Sequence, residues 1–225
     1  MPEAKRPPLI AWLLGYLSHY TADLVVHPVI EKKVGPYERA QIPHRRLEMY
    51  QDAFAFSLLG FGQLSDAELI KSGIKLCTTP AGSLDPDLAM FWSDVLSDVH
   101  PEEFQNSKPQ INSWHRFYTG LIDNVAEEYG KLPPYSGWLS KYFGLSYPRL
   151  DEVNDEHLKN LPTPEGPMEY RPILDRAINQ TAKNWAAFSQ ACYGDSDLLR
   201  QSLGDWDMGT GLAEKTRFVY WKGLV

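Results

Sequence analysis

The stretch from Leu9 to Val26 constrains this chain most. It is dense in apolar residues and has no proline after Pro8, which itself suits a first helical turn. It reads as a helix that must be buried. Yet His19, Asp23 and His27 punctuate it and its continuation at steps of four. On an α-helix that step stacks side chains on one face, about 6 Å apart along the axis. Buried imidazoles and carboxylates need partners, so another element must face this stripe. Pro28 is expected to end the helix or kink it near His27.

A partner follows directly. Glu31 to Gln41 reads as a loop around Gly35 and Pro36, and Pro43 then opens a second helix from about His44 to Leu59, stopped by Gly60 and Gly62. This helix repeats the device with His44, Glu48 and Asp52, again at steps of four. Two antiparallel helices joined by a loop can aim such stripes at each other, which is how helical bundles build multi-metal sites. Each His-x-x-x-carboxylate pair alone is also the pattern of a helix-surface hydrogen bond or a cap. Neutral imidazole and carboxylate suit zinc, and also iron or manganese. Zinc comes first because imidazoles outnumber carboxylates among His19, Asp23, His27, His44 and Glu48.

The remainder is also helical in character. Ser65-Asp66-Ala67-Glu68 has capping chemistry and starts a third helix toward Leu76. Asp85-Pro86-Asp87 launches another through Phe91, Trp92, Val95 and Leu96. Further helices are expected from about Ile111 to Tyr129 and from about Tyr170 to Tyr193. Between them a Pro/Gly-rich excursion at about 130–168 holds only short helical pieces around Trp138–Tyr142 and Asp151–Lys159. The end, from Gly204 on, is turn-rich. Alternating runs of strand length are hard to find. The expected architecture is all-α, a multi-helix bundle forming a single domain over residues 1–225.

Composition narrows the function. A net charge of -7 argues against stable binding of duplex nucleic acid. Two cysteines, Cys77 and Cys192, cannot build a Cys-based zinc site. The apolar start lacks a signal-peptide cleavage pattern, and no uncharged stretch reaches the ~18 residues of a membrane span. The chain also lacks Gly-x-Ser-x-Gly, a phosphate-cradling Gly-rich loop with Lys, and His-Glu-x-x-His. Gly209-Thr210-Gly211 is too short to interpret.

The run Leu14-Gly15-Tyr16-Leu17-Ser18-His19-Tyr20-Thr21-Ala22-Asp23, followed by His27-Pro28, resembles the helix signature of the zinc-dependent phospholipase C family, in its bacterial branch. That family is all-α and shares its fold with fungal single-strand-specific nucleases. The resemblance covers Ile10 to Asp52. It implies that His19 and Asp23 hold one zinc, with Asp23 bridging to a further ion, and that His27, His44 and Glu48 hold another, two or three ions in all. It implies hydrolysis of a phosphodiester by water activated on zinc, with phospholipid as the leading substrate class and a nuclease or nucleotidase activity as the sister option. A metal-binding helical scaffold or subunit without turnover is the alternative of a different class. Asp52, by helical phase, is an extra ligand or an orienter of ligands.

The family's other ligands lie ahead of this helix, whereas nine residues precede Ile10 here. The site is therefore expected to be completed by a missing N-terminal segment, by a second chain, or by later residues. Among later residues, His115 is the candidate for the pocket, with Asp205 and Asp207 as further options. His100 is expected at a helix C-terminus and His157 in solvent. Tyr16, Tyr20 and Tyr50 are candidates to shape a substrate pocket, and Arg45 a candidate to neutralise a phosphate.

Overall fold

The computed structural model describes residues 6–61, 68–120, 147–194 and 196–222. These form two compact units, one built from Ala11–Gly60 with Tyr147–Val225 and the other from Met1–Ile10 with Phe61–Ser146. The chain is all-α in character. The two sheets among the described residues are two-stranded hairpins.

The first unit holds α1 (Arg6–Val34), which begins in the other unit, and α2 (Tyr37–Leu58). α1 is longer than expected, because Pro28 lies inside it rather than at its end. A proline removes the helical hydrogen bond to the carbonyl four residues back, here that of Leu24. Gly211 packs closely against that carbonyl and the ring: a Cβ there would lie 2.7 Å from Leu24 O and 2.4 Å from Pro28 Cγ. The expected loop over 31–41 shrinks to a break at Gly35-Pro36, with Gly35 at φ +98° closing α1 through its N–H to Glu31 O. α2 then starts at Tyr37 and carries Pro43 internally. The backbone leaves helical geometry only at Ala40 (φ -130°), just ahead of the proline, where the ring crowds the preceding turn.

With its added residues α1 is long and apolar enough, by length and composition, to cross a membrane. In this structure Leu24, Val25, Val29 and Ile30 are buried in the unit instead. Val25 and Val29 pack with Leu161, with Tyr170, Ile173 and Ala177 of the long helix Tyr170–Cys192, and with Phe218 and Trp221 near the C-terminus. Trp221 also donates its indole N–H to the Val25 carbonyl at 3.0 Å. Fully buried Asn184 is satisfied by donating to Thr21 Oγ1 (2.8 Å) and Tyr220 Oη (3.1 Å).

The rest of this unit is short pieces. A 3-10 turn (Leu150–Glu152) and one helical turn (Asp155–Leu158) fall where helical fragments were expected. The hairpin Leu161–Thr163 with Gly166–Met168 was not expected. It has no β-branched alternation to announce it, and its turn is closed by Thr163, whose hydroxyl donates to Gly166 O and accepts from Glu165 N. Glu165 in turn holds Arg176 through both carboxylate oxygens and accepts the Lys222 N–H. A second hairpin pairs Leu212–Ala213 with Arg217–Phe218.

The other unit contains Glu68–Leu76, Pro86–Val99, Pro101–Asn106 and a helix over 111–120. Asp85 caps Pro86–Val99 by accepting from Asp87 N and Leu88 N. His100 sits at the C-terminus of that helix, as expected. Both cysteines are free. The capping residues Ser65, Asp66 and Ala67, Gly62, the end of the helix toward Tyr129 and the fragment Trp138–Tyr142 lie outside the described residues.

Candidate metal centre

The four-step stripes of α1 and α2 meet inside the first unit. Five side chains form a continuous chain of contacts. His19 Nε2 lies 3.3 Å from Asp23 Oδ2, and Asp23 Oδ1 lies 3.8 Å from His27 Nε2. His27 Nε2 reaches across to α2, 3.1 Å from Glu48 Oε1, and His44 Nε2 approaches the same oxygen at 3.3 Å. His27, His44 and Glu48 each present one donor atom, all within 4.8 Å of one another. His44 is 2% exposed and covered edge-on by Tyr37 and His27, with ring centroids 5.0 Å away in both cases.

The orientation of His27 is set from outside the two helices. Its Nδ1 lies 2.7 Å from the carbonyl oxygen of Met208. A carbonyl only accepts, so Nδ1 carries the proton. In neutral His27 the Nε2 lone pair would then face the Glu48 oxygen, acceptor against acceptor. Either a proton or a cation must lie between them. The energetics of the metal-free centre agree. Burial would lower the pKa of His27, but the Glu48 hydrogen bond, Asp23 and the Met208 carbonyl outweigh it and raise it. Burial likewise works to raise Glu48, and hydrogen bonds from His27 and His44 overcome that and pull it down to about 2. Asp23 is raised, by burial first and by Glu48, against the pull of His27, His19 and His44.

This trio fits zinc. Donors about 2.0–2.1 Å from a tetrahedral zinc lie about 3.3 Å apart, which matches the 3.1 Å and 3.3 Å approaches of the imidazoles to Glu48 Oε1. Two imidazole nitrogens and one carboxylate oxygen are a donor set zinc uses with one position left open. Buried His44 Nδ1 has no hydrogen-bond partner among the described residues, so only His27 has its far nitrogen anchored.

The other candidate residues distribute differently. Asp52 is exposed to solvent, yet protein crowds it closely enough for desolvation to push its carboxyl up to about 6. Glu48 and Asp23 add to the rise, while Arg45 and a hydrogen bond from Tyr147 oppose it. Arg45 Nη1 lies 3.7 Å from Glu48 Oε2. Tyr16 is exposed and stacks on Trp12 at 5.8 Å. Tyr20 donates to Gly204 O at 2.7 Å and stacks on Trp206. Tyr50 stacks on His157 at 3.8 Å. His115 belongs to the other unit, where its Nε2 lies 2.9 Å from Thr78 Oγ1.

His157 corrects an expectation. It is buried against Tyr50 rather than solvated. Its short helix is capped by Asn154, whose side chain accepts from Glu156 N and whose N–H donates to His157 Nδ1 at 3.4 Å. The main omission of the sequence reading is Met208. Its contribution is a backbone carbonyl, which no side-chain pattern reveals; the one available signal was the Gly209-Thr210-Gly211 turn beside it.

Neither the curated proteins nor the solved structures give a match to this chain. The family model of zinc dependent phospholipase C matches residues 3–101, the stretch that carries all five grouped side chains.

Proposed function

We propose that this protein is a zinc-dependent phosphodiester hydrolase whose substrate class is phospholipid. The observation that carries the reading is the convergence of His27, His44 and Glu48 on one point, with His27 Nε2 aimed there by the Met208 carbonyl. Bound zinc supplies a Lewis acid and brings the pKa of a bound water toward about 7. The protein does the rest. His27, His44 and Glu48 hold one ion. His19 and Asp23, joined to them through the 3.8 Å approach of Asp23 to His27, hold a further one, with two or three ions in a complete site. Asp52, exposed and titrating at about 6, accepts the proton released when water attacks. Arg45, also exposed, supplies positive charge for a substrate phosphate. The net charge of -7 disfavours a polyanionic substrate over a zwitterionic lipid headgroup.

The test is turnover of a chromogenic phosphocholine diester by the purified, zinc-loaded chain, alongside a single-stranded oligonucleotide. Hydrolysis of the diester that a chelator abolishes and zinc restores supports the reading. Cleavage of the oligonucleotide alone would move the substrate class to nucleic acid. Zinc bound stoichiometrically without turnover of either would make the protein a metal-bearing scaffold.

A further inference from the structure

Residues 204–211 run along one side of α1 and touch it at three successive levels. Tyr20 Oη donates to Gly204 O at 2.7 Å. His27 Nδ1 donates to Met208 O at 2.7 Å. Gly211 backs onto Leu24 O and Pro28, so closely that a Cβ there would lie 2.4 Å from Pro28 Cγ. At φ +69° Gly211 also occupies a backbone conformation that side chains resist. Between the second and third levels the chain is held by Asp207. Its Oδ1 accepts from Gly209 N at 2.8 Å and from Thr210 N at 3.2 Å, and its carbonyl accepts from Gly211 N at 2.8 Å. Asp207 N is tied in turn to Leu212 O at 3.0 Å, and Gly211 O accepts from Val219 N at 3.0 Å. The turn is thus closed on itself, anchored to the second hairpin, and aimed so that one carbonyl meets one imidazole.

We propose that Asp207 and Gly211 are positioning residues of the metal centre, acting through the Met208 carbonyl to fix the orientation of His27 and the nitrogen it presents. The inference rests on the reading that His27, His44 and Glu48 bind zinc. It adds that a side chain at position 207, although exposed, controls that affinity. Partners of this kind, one step removed from the ion, typically contribute about 10–100-fold in metal affinity. His44 has no such partner among the described residues, so the anchoring burden falls on His27.

Two readouts test this. The first is zinc affinity, measured by competition with a chromogenic chelator, for the wild-type chain, Asp207→Ala, Asp207→Asn and Gly211→Ala. The second is the imidazole Nδ1–H signal of His27 in ¹⁵N-edited spectra of the zinc-free protein. In the wild type that proton should exchange slowly. Asp207→Ala should lose the protected signal and about 10-fold in zinc affinity while its circular dichroism and melting stay cooperative. Asp207→Asn keeps the Oδ1 acceptor and should restore both; a loss equal to that of Ala would mean that the charge, not the turn, matters, and would overturn the proposal. Gly211→Ala should show the larger loss, and if it fails to fold the two Asp207 variants still decide. Full zinc affinity with an unchanged Nδ1–H signal in Asp207→Ala would refute the positioning role. Absence of zinc binding in the wild type would refute the metal reading itself, and the Nδ1–H signal would then still judge whether the turn orients His27.

Discussion

The same four-residue device occurs twice, and the two copies have different fates. His19–Asp23 on α1 and His44–Glu48 on α2 have the same spacing and the same 3.3 Å approach of imidazole to carboxylate. Yet the His19 side chain is 67% exposed and that of His44 is 2% exposed. The difference lies in what each helix meets. α2 places His44 beneath Tyr37 and beside His27, and Glu48 within reach of both imidazoles. His19 stands one turn from Asp23, toward solvent. A His-x-x-x-carboxylate pair therefore fixes two donors, and the contribution of a third from another element turns the pair into a centre. His27 is that third group for the α2 pair and only an approach at 3.8 Å for the α1 pair.

The sharpest way to break this comparison is to remove the oxygen both imidazoles share. Glu48→Gln should lower zinc affinity by more than the about 100-fold that outer partners cost, whereas His19→Ala should leave the first equivalent of zinc bound and affect later ones. Chelator competition on the two variants reads this directly, and equal losses would erase the distinction between the copies. Next in size is stability without metal. His44→Ala empties a buried position and should cost about 1–3 kcal/mol, while His19→Ala, at an exposed one, should stay within about 0.5 kcal/mol; urea titration separates them.

A pH series sharpens the same contrast. Glu48 is depressed from 4.5 to about 2, so its contribution is full above 4.5 and is lost as pH falls through about 2. His27 is raised above 6.5, so its contribution is full below 6.5 and is lost as pH rises through its raised value. The metal-free pair thus stabilises the fold most between about 4.5 and 6.5. Zinc needs the unprotonated nitrogen, so the rise in melting temperature on adding zinc should grow as pH climbs past that window. A constant rise across it would contradict a protonated His27 in the metal-free centre. The smallest effect belongs to Arg45→Ala, which should raise KM for the diester a few-fold and leave zinc stoichiometry intact.

The stripes were legible because helical phase alone brings residues four apart onto one face, and both helices kept that phase where the donors lie. The helix boundaries were less so. Pro28 reads as a stop or a kink, yet α1 runs on through it, with Gly211, some 180 residues later, packed closely against Pro28 and the Leu24 carbonyl. The region of 31–41 reads as a loop because Gly35-Pro36 dominates it, though Tyr37 already starts α2. The Leu161–Met168 hairpin is held by the Thr163 hydroxyl rather than by strand propensity, and proline at 162, 164 and 167 hides it. His157 looked solvated among acidic neighbours and is instead buried, with its ring stacked on Tyr50. Gly211 and Tyr50 act from far along the chain, and the Thr163 hydroxyl acts on backbone atoms, contacts that hydrophobic periodicity does not encode.

X-ray absorption at the zinc edge, on the chain loaded with less than one equivalent, bears most directly on the centre. Two imidazoles and an oxygen donor, with all nearest neighbours at about 2.0–2.1 Å, are the expected result. Sulfur scattering at about 2.3 Å, or fewer than two imidazoles, would place the ion somewhere other than between His27, His44 and Glu48.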